Sequence, residues 1–600
     1  MDTHTSAPPL NGPSLTDRVL KATSFIAVAH VIAKLLGIVQ ARVIGHYYGF
    51  SIENDAFVLA YEGILWTLFL IGEESLGPAF LPVFMTARNS DSEEAAWTFT
   101  STLLNLQLLL LMVSVVLLML FPDAAVRLLS QFSDHGRKAD NARAELAVRF
   151  VGYMAPSLLG LSIGSLTYVI LNGYKRFFWP AFADAVLKAG LAVGIAVGWK
   201  LGLSHDAMIV GVLAAGLGKI SVHLWALRDK LKHYRPVIRL KDPHFRKFML
   251  LVAPLLIGIL FAKTRDFYNY YYILSTLEEG MLSVNSYGRK LYNAVSWLVP
   301  YPLAIALFPF FCELVARDDQ KALGNFLTRA TRMLLLIFLP MTAVILVLST
   351  PLAQALFQTG KVTAADAALA GRVNAYYSAV IPFFALEFIF MQAYFSSHRN
   401  VAVTVIGILF SAMSMLISYV GVVTYGLRGP DALAVVALGY TFSRALKAIT
   451  LAGVLKYSGV PLLPFGSTMR FLARCLLLTV ACGGAAFGGL KIVERVQGKS
   501  AETSTELRPD PKERAEKDAD AKKSDGKEAP EKKAPSGSGM KALLRAAPQL
   551  VFPGLLTLIV FIAGCKLLRL DELDEMIGYA REKIRRRGKG SAMPTDAGAA

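Results

Sequence analysis

Runs of roughly 20 to 28 mostly apolar residues, each closed by a short polar or basic turn, recur about fourteen times before residue 570. A bilayer core of about 30 Å needs about 20 helical residues, and only helices or closed barrels satisfy their backbone polar groups in lipid. Alternation with the period of a strand is absent, so the pattern predicts an all-α polytopic membrane protein. The expected spans are 22–46, 55–86, 96–121, 147–171, 178–200, 206–228, 248–274, 284–312, 326–349, 371–396, 401–425, 431–456, 468–492 and 547–568. Pro and Gly inside many of them are compatible with bilayer helices, whose neighbours re-satisfy the freed backbone groups.

The placement of Lys and Arg predicts orientation. The turn between spans six and seven holds Arg228, Lys230, Lys232, Arg235, Arg239, Lys241, Arg246 and Lys247, whereas the turns at 47–54 and 275–283 hold none. That turn is expected on the cytoplasmic side, and with an even span count both termini lie there too. The loop at 122–146, with Arg127, Arg137, Lys138 and Arg143, breaks this pattern on the outer side. The polar start, residues 1–20, contains no apolar stretch before a small-residue cleavage site and reads as a disordered cytoplasmic segment. Residues 495–546, of mixed charge and almost without large apolar side chains, read as a disordered linker, and 570–600 as a basic cytoplasmic tail.

The remaining chain divides by span counting into six-helix lobes at 21–230 and 231–457, a thirteenth helix at 458–494 and a fourteenth at 547–569. Two similar stretches support a repeat: GPAFLPVFMTARNSDSEEAAWTF from Gly77 and LAIALFPFFCELVARDDQKALGNF from Leu303 each pass from an apolar run through a proline to an acidic turn and a new helix. Six spans per copy make the repeat parallel, an arrangement in which transporters place substrate between the halves.

Composition changes this picture little. Hydrophobic residues make up 54% of 600, and the mean hydropathy is +0.48. The net charge of +18 sits beside spans, where it answers orientation and anionic lipid head groups, so nucleic acid is not an expected partner. Cys312, Cys475, Cys482 and Cys565 have neither disulfide nor metal-ligand spacing. No nucleophile triad or phosphate loop appears, so neither an enzyme nor a cofactor is expected.

Specific segments carry a resemblance. AKLLGIVQARVIGHYYG (33–49) followed by NDAF (54–57) and PAFLPVF (78–84), LNGYKRFFWPAFADAVLKAG (171–190), SYGRKLYNAVSWLVPYPLAIALFPFF (286–311) and the long stretch from Leu356 to Asn400 together resemble the MviN/MurJ family of lipid II flippases, within the multidrug/oligosaccharidyl-lipid/polysaccharide exporter superfamily. The resemblance covers about residues 20–490. It implies two six-helix lobes around a cationic cavity for the diphosphate and sugar head of a polyprenyl-linked precursor, with the last two helices forming a groove for the lipid tail. An anionic diphosphate leaving water needs paired cations, and a prenyl chain moves at least cost in apolar surroundings. A bacterial inner-membrane location follows from the same resemblance.

The chain departs from the family where arginines are usual, carrying Lys34, Gln40 and Leu68 instead. Lys is a point charge without the guanidinium fork. Asp55 and Arg289 match charged family positions, Glu73 matches an acidic one, and Glu74 replaces a usual glycine. The expected substrate-binding charges are therefore Lys34, Asp55, Arg289 and Arg265, with Arg42, Glu62, Glu73, Lys263 and Lys290 behind them. Intramembrane charges default to function. Their local spacing predicts partners: Asp55 for Lys34, Asp266 for Lys263 at i,i+3, and Lys188 for Asp184 at i,i+4. Lys219 and Glu387 are further cavity candidates, and Phe267 to Tyr272 reads as an interfacial aromatic belt rather than a sugar platform. Three rival readings remain at this point. The acidic residues of span two suit a cation-coupled exporter of small molecules in the same fold. The lost arginines suit a flippase for another lipid-linked oligosaccharide, or a scaffold that recruits cell-wall synthesis proteins through linker or tail.

Overall fold

The computed structural model describes residues 15–131, 138–298, 311, 314–315, 317, 319–397, 399–506 and 538–574. Those residues are helical throughout, apart from turns, and cluster into two compact units that meet in sequence at Gly280. Among the described residues, ten helices are long and apolar enough to cross a membrane, or twelve when two bent pairs each count as one span. The twelve coincide with expected spans two to seven and nine to fourteen. Span one lies within α1 (Leu15–Tyr48), and span eight starts in α11 (Met281–Leu298) before entering residues outside the described set.

Unit 1 continues with α2 (Ile52–Phe57), α3 (Trp66–Thr86), α4 (Glu93–Leu120), α5 (Pro122–Leu129), α6 (Lys138–Met154), α7 (Ser157–Gly173), α8 (Phe178–Lys200), α9 (Ala207–Leu227) and α10 (Pro243–Phe267). Its closest helix pairing is written in small residues. Gly190, Gly194 and Gly198 recur every fourth position along one face of α8, and Cβ atoms added there would come within 3.2, 2.7 and 2.8 Å of Ala215, Gly211 and Ala207 on antiparallel α9. Gly160 of α7 faces the Gly216 carbonyl of α9 in the same way, with no room for a Cβ. Lipid provides no hydrophobic drive between helices, so dispersion contact through such small-residue faces holds them together. Between α6 and α7 the axis turns by 54° at Ala155 and Pro156, where proline withholds an amide from the helical ladder.

Three π-helical widenings occur in unit 1; one, Ala87–Asp91, closes α3, and the other two come together. A π segment, Val58–Leu65, joins α2 to α3, and a second, Tyr268–Tyr272, follows α10. They meet where Gly63 lets the Tyr271 ring lie against the backbone, a Cβ there being only 3.1 Å from the ring. Tyr270 and Tyr271 are consequently buried within the unit, while Phe267, Tyr268 and Tyr272 of the same run are half-buried. Span seven packs against α3 and belongs to unit 1, which places the boundary between compact units at Gly280 rather than at the expected 230.

Unit 2 contains α11, then α12 (Gln320–Phe357), α13 (Ala364–Ser378), α14 (Ile381–Ser396), α15 (Asn400–Tyr419), α16 (Gly429–Tyr457), α17 (Phe465–Glu506) and α18 (Ser538–Leu567). Thr363 and Asp366 form a reciprocal capping box that starts α13. Helices α12, α17 and α18 share an apolar cluster that includes the buried free thiols of Cys475, Cys482 and Cys565; Cys312 lies outside the described residues. Three expected boundaries shift. Helix α1 starts at Leu15, inside the segment read as disordered; α17 runs to Glu506, past the expected linker start at 495; and α18 begins at Ser538 instead of 547. The extension of α17 is free of proline until Pro509 and contains good helix formers, so composition alone underestimates its helicity. The linker core at 507–537 and the tail beyond 574 lie outside the described residues.

Candidate functional site

Apolar helices can hold ionic side chains only in pairs or networks, because an isolated charge in lipid-like surroundings is costly. In unit 1 these networks form in two places along span two. At its beginning, Asp55 is fully buried. One carboxylate oxygen accepts the Gly280 amide at 2.7 Å and lies 3.6 Å from the Arg143 guanidinium. Arg143, itself only 2% exposed, also pairs with Asp140 and donates to the Leu277 carbonyl at 3.0 Å. Gly280 is required twice over, since φ is +84° and a Cβ would stand 2.8 Å from the Phe50 carbonyl. Asp55 therefore belongs to Arg143 and not to Lys34, its expected partner. Arg143 is a core residue, and its burial accounts for part of the unexpected positive charge assigned to the outer loop.

The second network lies nearly five helical turns further on, about 27 Å away at 1.5 Å per residue. Here α3, α8, α9 and α10 bring together Glu73, Glu74, Asp184, Lys219 and Lys263. Lys263 bonds Glu74 at 2.6 Å and not Asp266. Arg265, one of the expected substrate-binding charges, pairs with Asp266 at 2.6 Å, so Asp266 serves it and not Lys263. Lys219 is 1% exposed, pairs with Asp184 at 3.1 Å and rests 4.9 Å from the Phe69 ring. Gly164 makes room for the lysine stem, which a Cβ would approach to 3.1 Å. Lys188, the expected partner of Asp184, instead places its ammonium over Trp66 at 5.0 Å. One turn beyond Lys219, buried His223 contacts Thr167 Oγ1 at 2.8 Å. The same hydroxyl also lies within hydrogen-bond reach of the Ile163 carbonyl, at 3.0 Å.

The other expected residues are spread more widely. Lys34 is exposed on α1 and makes no ion pair among the described residues; Arg42 and Glu62 are half-buried. Gln40 is buried and Leu68 is 44% exposed, so the two positions that lack the family's arginines have opposite environments. In unit 2, Arg289 is half-buried on α11, while Lys290 bonds Ser286 at 3.0 Å and lies over the Tyr287 ring.

Unit 2 also contains an ion triad that sequence reasoning saw only in part. Glu387 of α14, 4% exposed, accepts from Arg444 at 2.6 Å and from Lys447 at 2.7 Å, both on α16. Arg444 lies against the rings of Phe384 and Tyr440. The missed residues are Arg143, His223, Arg444 and Lys447. For the last two a signal was available: two cations three residues apart in the middle of an apolar span, opposite a span with one carboxylate.

Comparison with known proteins fits this architecture. The family profile described as "Lipid II flippase MurJ" matches residues 44–502. A probable lipid II flippase MurJ of Bdellovibrio bacteriovorus is 25% identical over 494 residues, covering 80% of this chain and 90% of the relative. One of Borreliella burgdorferi is 21% identical over 412 residues, covering 69% and 79%. Among solved structures, a lipid II flippase MurJ in an inward closed conformation aligns with a TM-score of 0.66 at 17% identity, covering 91% of this chain and 99% of that one. An inward-facing multidrug resistance MATE family transporter of the MOP superfamily aligns at 0.59 over 71% of this chain. With a profile match across most of its length and the same helical fold, this chain belongs to the lipid II flippase MurJ family.

Proposed function

We propose that the chain carries lipid II, a polyprenyl-diphosphate-linked peptidoglycan precursor, from the inner to the outer leaflet of the bacterial inner membrane by alternating access, with both termini cytoplasmic. The profile match across residues 44–502 carries this reading. Physical chemistry agrees with it. The sugar and diphosphate head needs ionic partners within the spans, and ion pairs whose members lie on different helices can exchange a neighbouring side chain for a ligand phosphate. Lys34, exposed and without an ion pair among the described residues, and half-buried Arg289 are the proposed head-group contacts. Asp55, held by Arg143 and the Gly280 amide, positions the end of unit 1 rather than the substrate. No covalent bond is broken.

The test is rescue of a bacterium depleted of its own lipid II flippase, scored by lipid II accessible at the outer leaflet. Wild type restores that pool, and Arg289→Ala lowers it at least tenfold. A stable, correctly inserted wild-type protein that leaves lipid II inside overturns the proposal.

A further inference from the structure

Among the charges of unit 1, the carboxylates outnumber the cation that binds them at one point. Phe69 and Glu73 are one turn apart on α3 and share a face. The Lys219 ammonium lies over Phe69, at 4.9 Å, and so faces the same stripe. Its ion pair, however, is with Asp184 at 3.1 Å. Glu73, half-buried, forms no hydrogen bond or ion pair with any described residue. The charged groups whose fields reach it are Lys219 of α9, Asp184 of α8, and Glu74 with its partner Lys263 of α10. Glu74 and Lys263 neutralise each other at 2.6 Å. Lys188 is turned to Trp66; Lys34, exposed on α1, reaches Asp184 with its field but forms no ion pair with it; and His223 of α9, in contact with Thr167 of α7, is a titratable neighbour of Lys219 and Asp184.

Glu73, Asp184 and Lys219 together therefore carry one negative charge in excess when all are ionised. In surroundings of low dielectric that excess is removed most cheaply by a counter-ion or by a proton. A metal ion is the weaker choice, since no group of three or more metal-ligating side chains exists among the described residues. We propose that Glu73 is a proton-exchange site of unit 1, protonated when Lys219 pairs with Asp184 and ionised when Lys219 turns to it. The step conserves charge: one proton leaves the Glu73 carboxyl for water as the ammonium changes carboxylate partner, so the triad's net charge alternates between zero and minus one. As a coupling device this rests on the transport reading above; as a protonation site it does not.

Two measurements separate those claims. Infrared difference spectra of the reconstituted protein, wild type minus Glu73→Gln, should contain a protonated-carboxyl band at neutral pH that disappears on alkalinisation and is insensitive to sodium. In lipid II vesicles, an imposed pH gradient should change the wild-type rate several-fold and leave Glu73→Gln unresponsive. If Glu73→Gln does not insert, Glu73→Asp serves in its place, with the band displaced but present. Absence of the band at neutral pH, or its removal by sodium, overturns the protonation site. A band that is present while the transport rate ignores the gradient overturns the coupling. If wild type moves no lipid II, the flippase reading fails, and the infrared arm still decides the site.

Discussion

Units 1 and 2 solve the problem of charge inside apolar helices with opposite arithmetic. In unit 1 two carboxylates, Glu73 and Asp184, face one lysine, Lys219; in unit 2 two cations, Arg444 and Lys447, face one carboxylate, Glu387. A surplus carboxylate can be discharged by a proton near neutral pH once it is buried, whereas surplus Arg or Lys cannot be discharged so readily. The first arrangement can change its charge, and the second keeps it. The difference marks unit 1 as the switchable partner and unit 2 as a fixed positive centre.

The largest expected effect comes from removing the common partner in unit 2. Glu387→Gln leaves two half-buried cations against each other and should cost about 3 kcal/mol, seen as loss of folded protein in thermal unfolding of detergent-solubilised samples. Lys447→Met leaves a balanced Arg444–Glu387 pair and should shift the same midpoint far less. Equal losses from the two variants would remove the asymmetry. Next, Lys219→Met in unit 1 leaves two carboxylates without their lysine, and a moderate destabilisation at neutral pH should recover on mild acidification. No such recovery should occur for Glu387→Gln, because acid cannot discharge its two cations. The smallest effect is expected outside the spans, at the two-bond contact of Arg176 and Asp229, with distances of 2.7 and 2.6 Å. The Arg176 guanidinium holds the Asp229 carboxyl below the usual carboxylate range. Its stabilisation is thus present above the unfolded pKa of about 3.9 and lost as pH falls through the lower folded value. Asp229 is exposed and Arg176 half-buried at the surface, so Asp229→Asn should shift the unfolding midpoint by well under what 1 kcal/mol produces, at any pH above about 5.

Span positions were legible in the sequence because bilayer thickness imposes a length on each apolar run, and twelve of them reappear as helices. Ion-pair partners were not. Local spacing proposed Lys263 with Asp266 and Asp184 with Lys188, but Lys263 reaches Glu74, 189 residues away in sequence. Adjacent helices offer better geometry than the same helix when glycines bring their axes close, and no periodicity reports which face turns inward to which neighbour. Arg143 shows the same limit from another direction: as a member of a loop it counts toward topology, yet its burial beside Asp55 makes it part of the core. The compact units divide at Gly280, whereas span counting divides the chain at 230, because counting in sixes does not register that span seven packs onto α3.

The glycine contacts among α7, α8 and α9 have a mechanical consequence. Where backbones touch, there is no layer of flexible side chains to shear, so these three helices act as a plate. Compliance in unit 1 is then concentrated elsewhere, at the 54° bend before α7 and at the two π segments that meet through Gly63 and Tyr271. Strain applied to such a plate appears as rotation about a few joints and leaves its interior, Lys219 included, unchanged in shape.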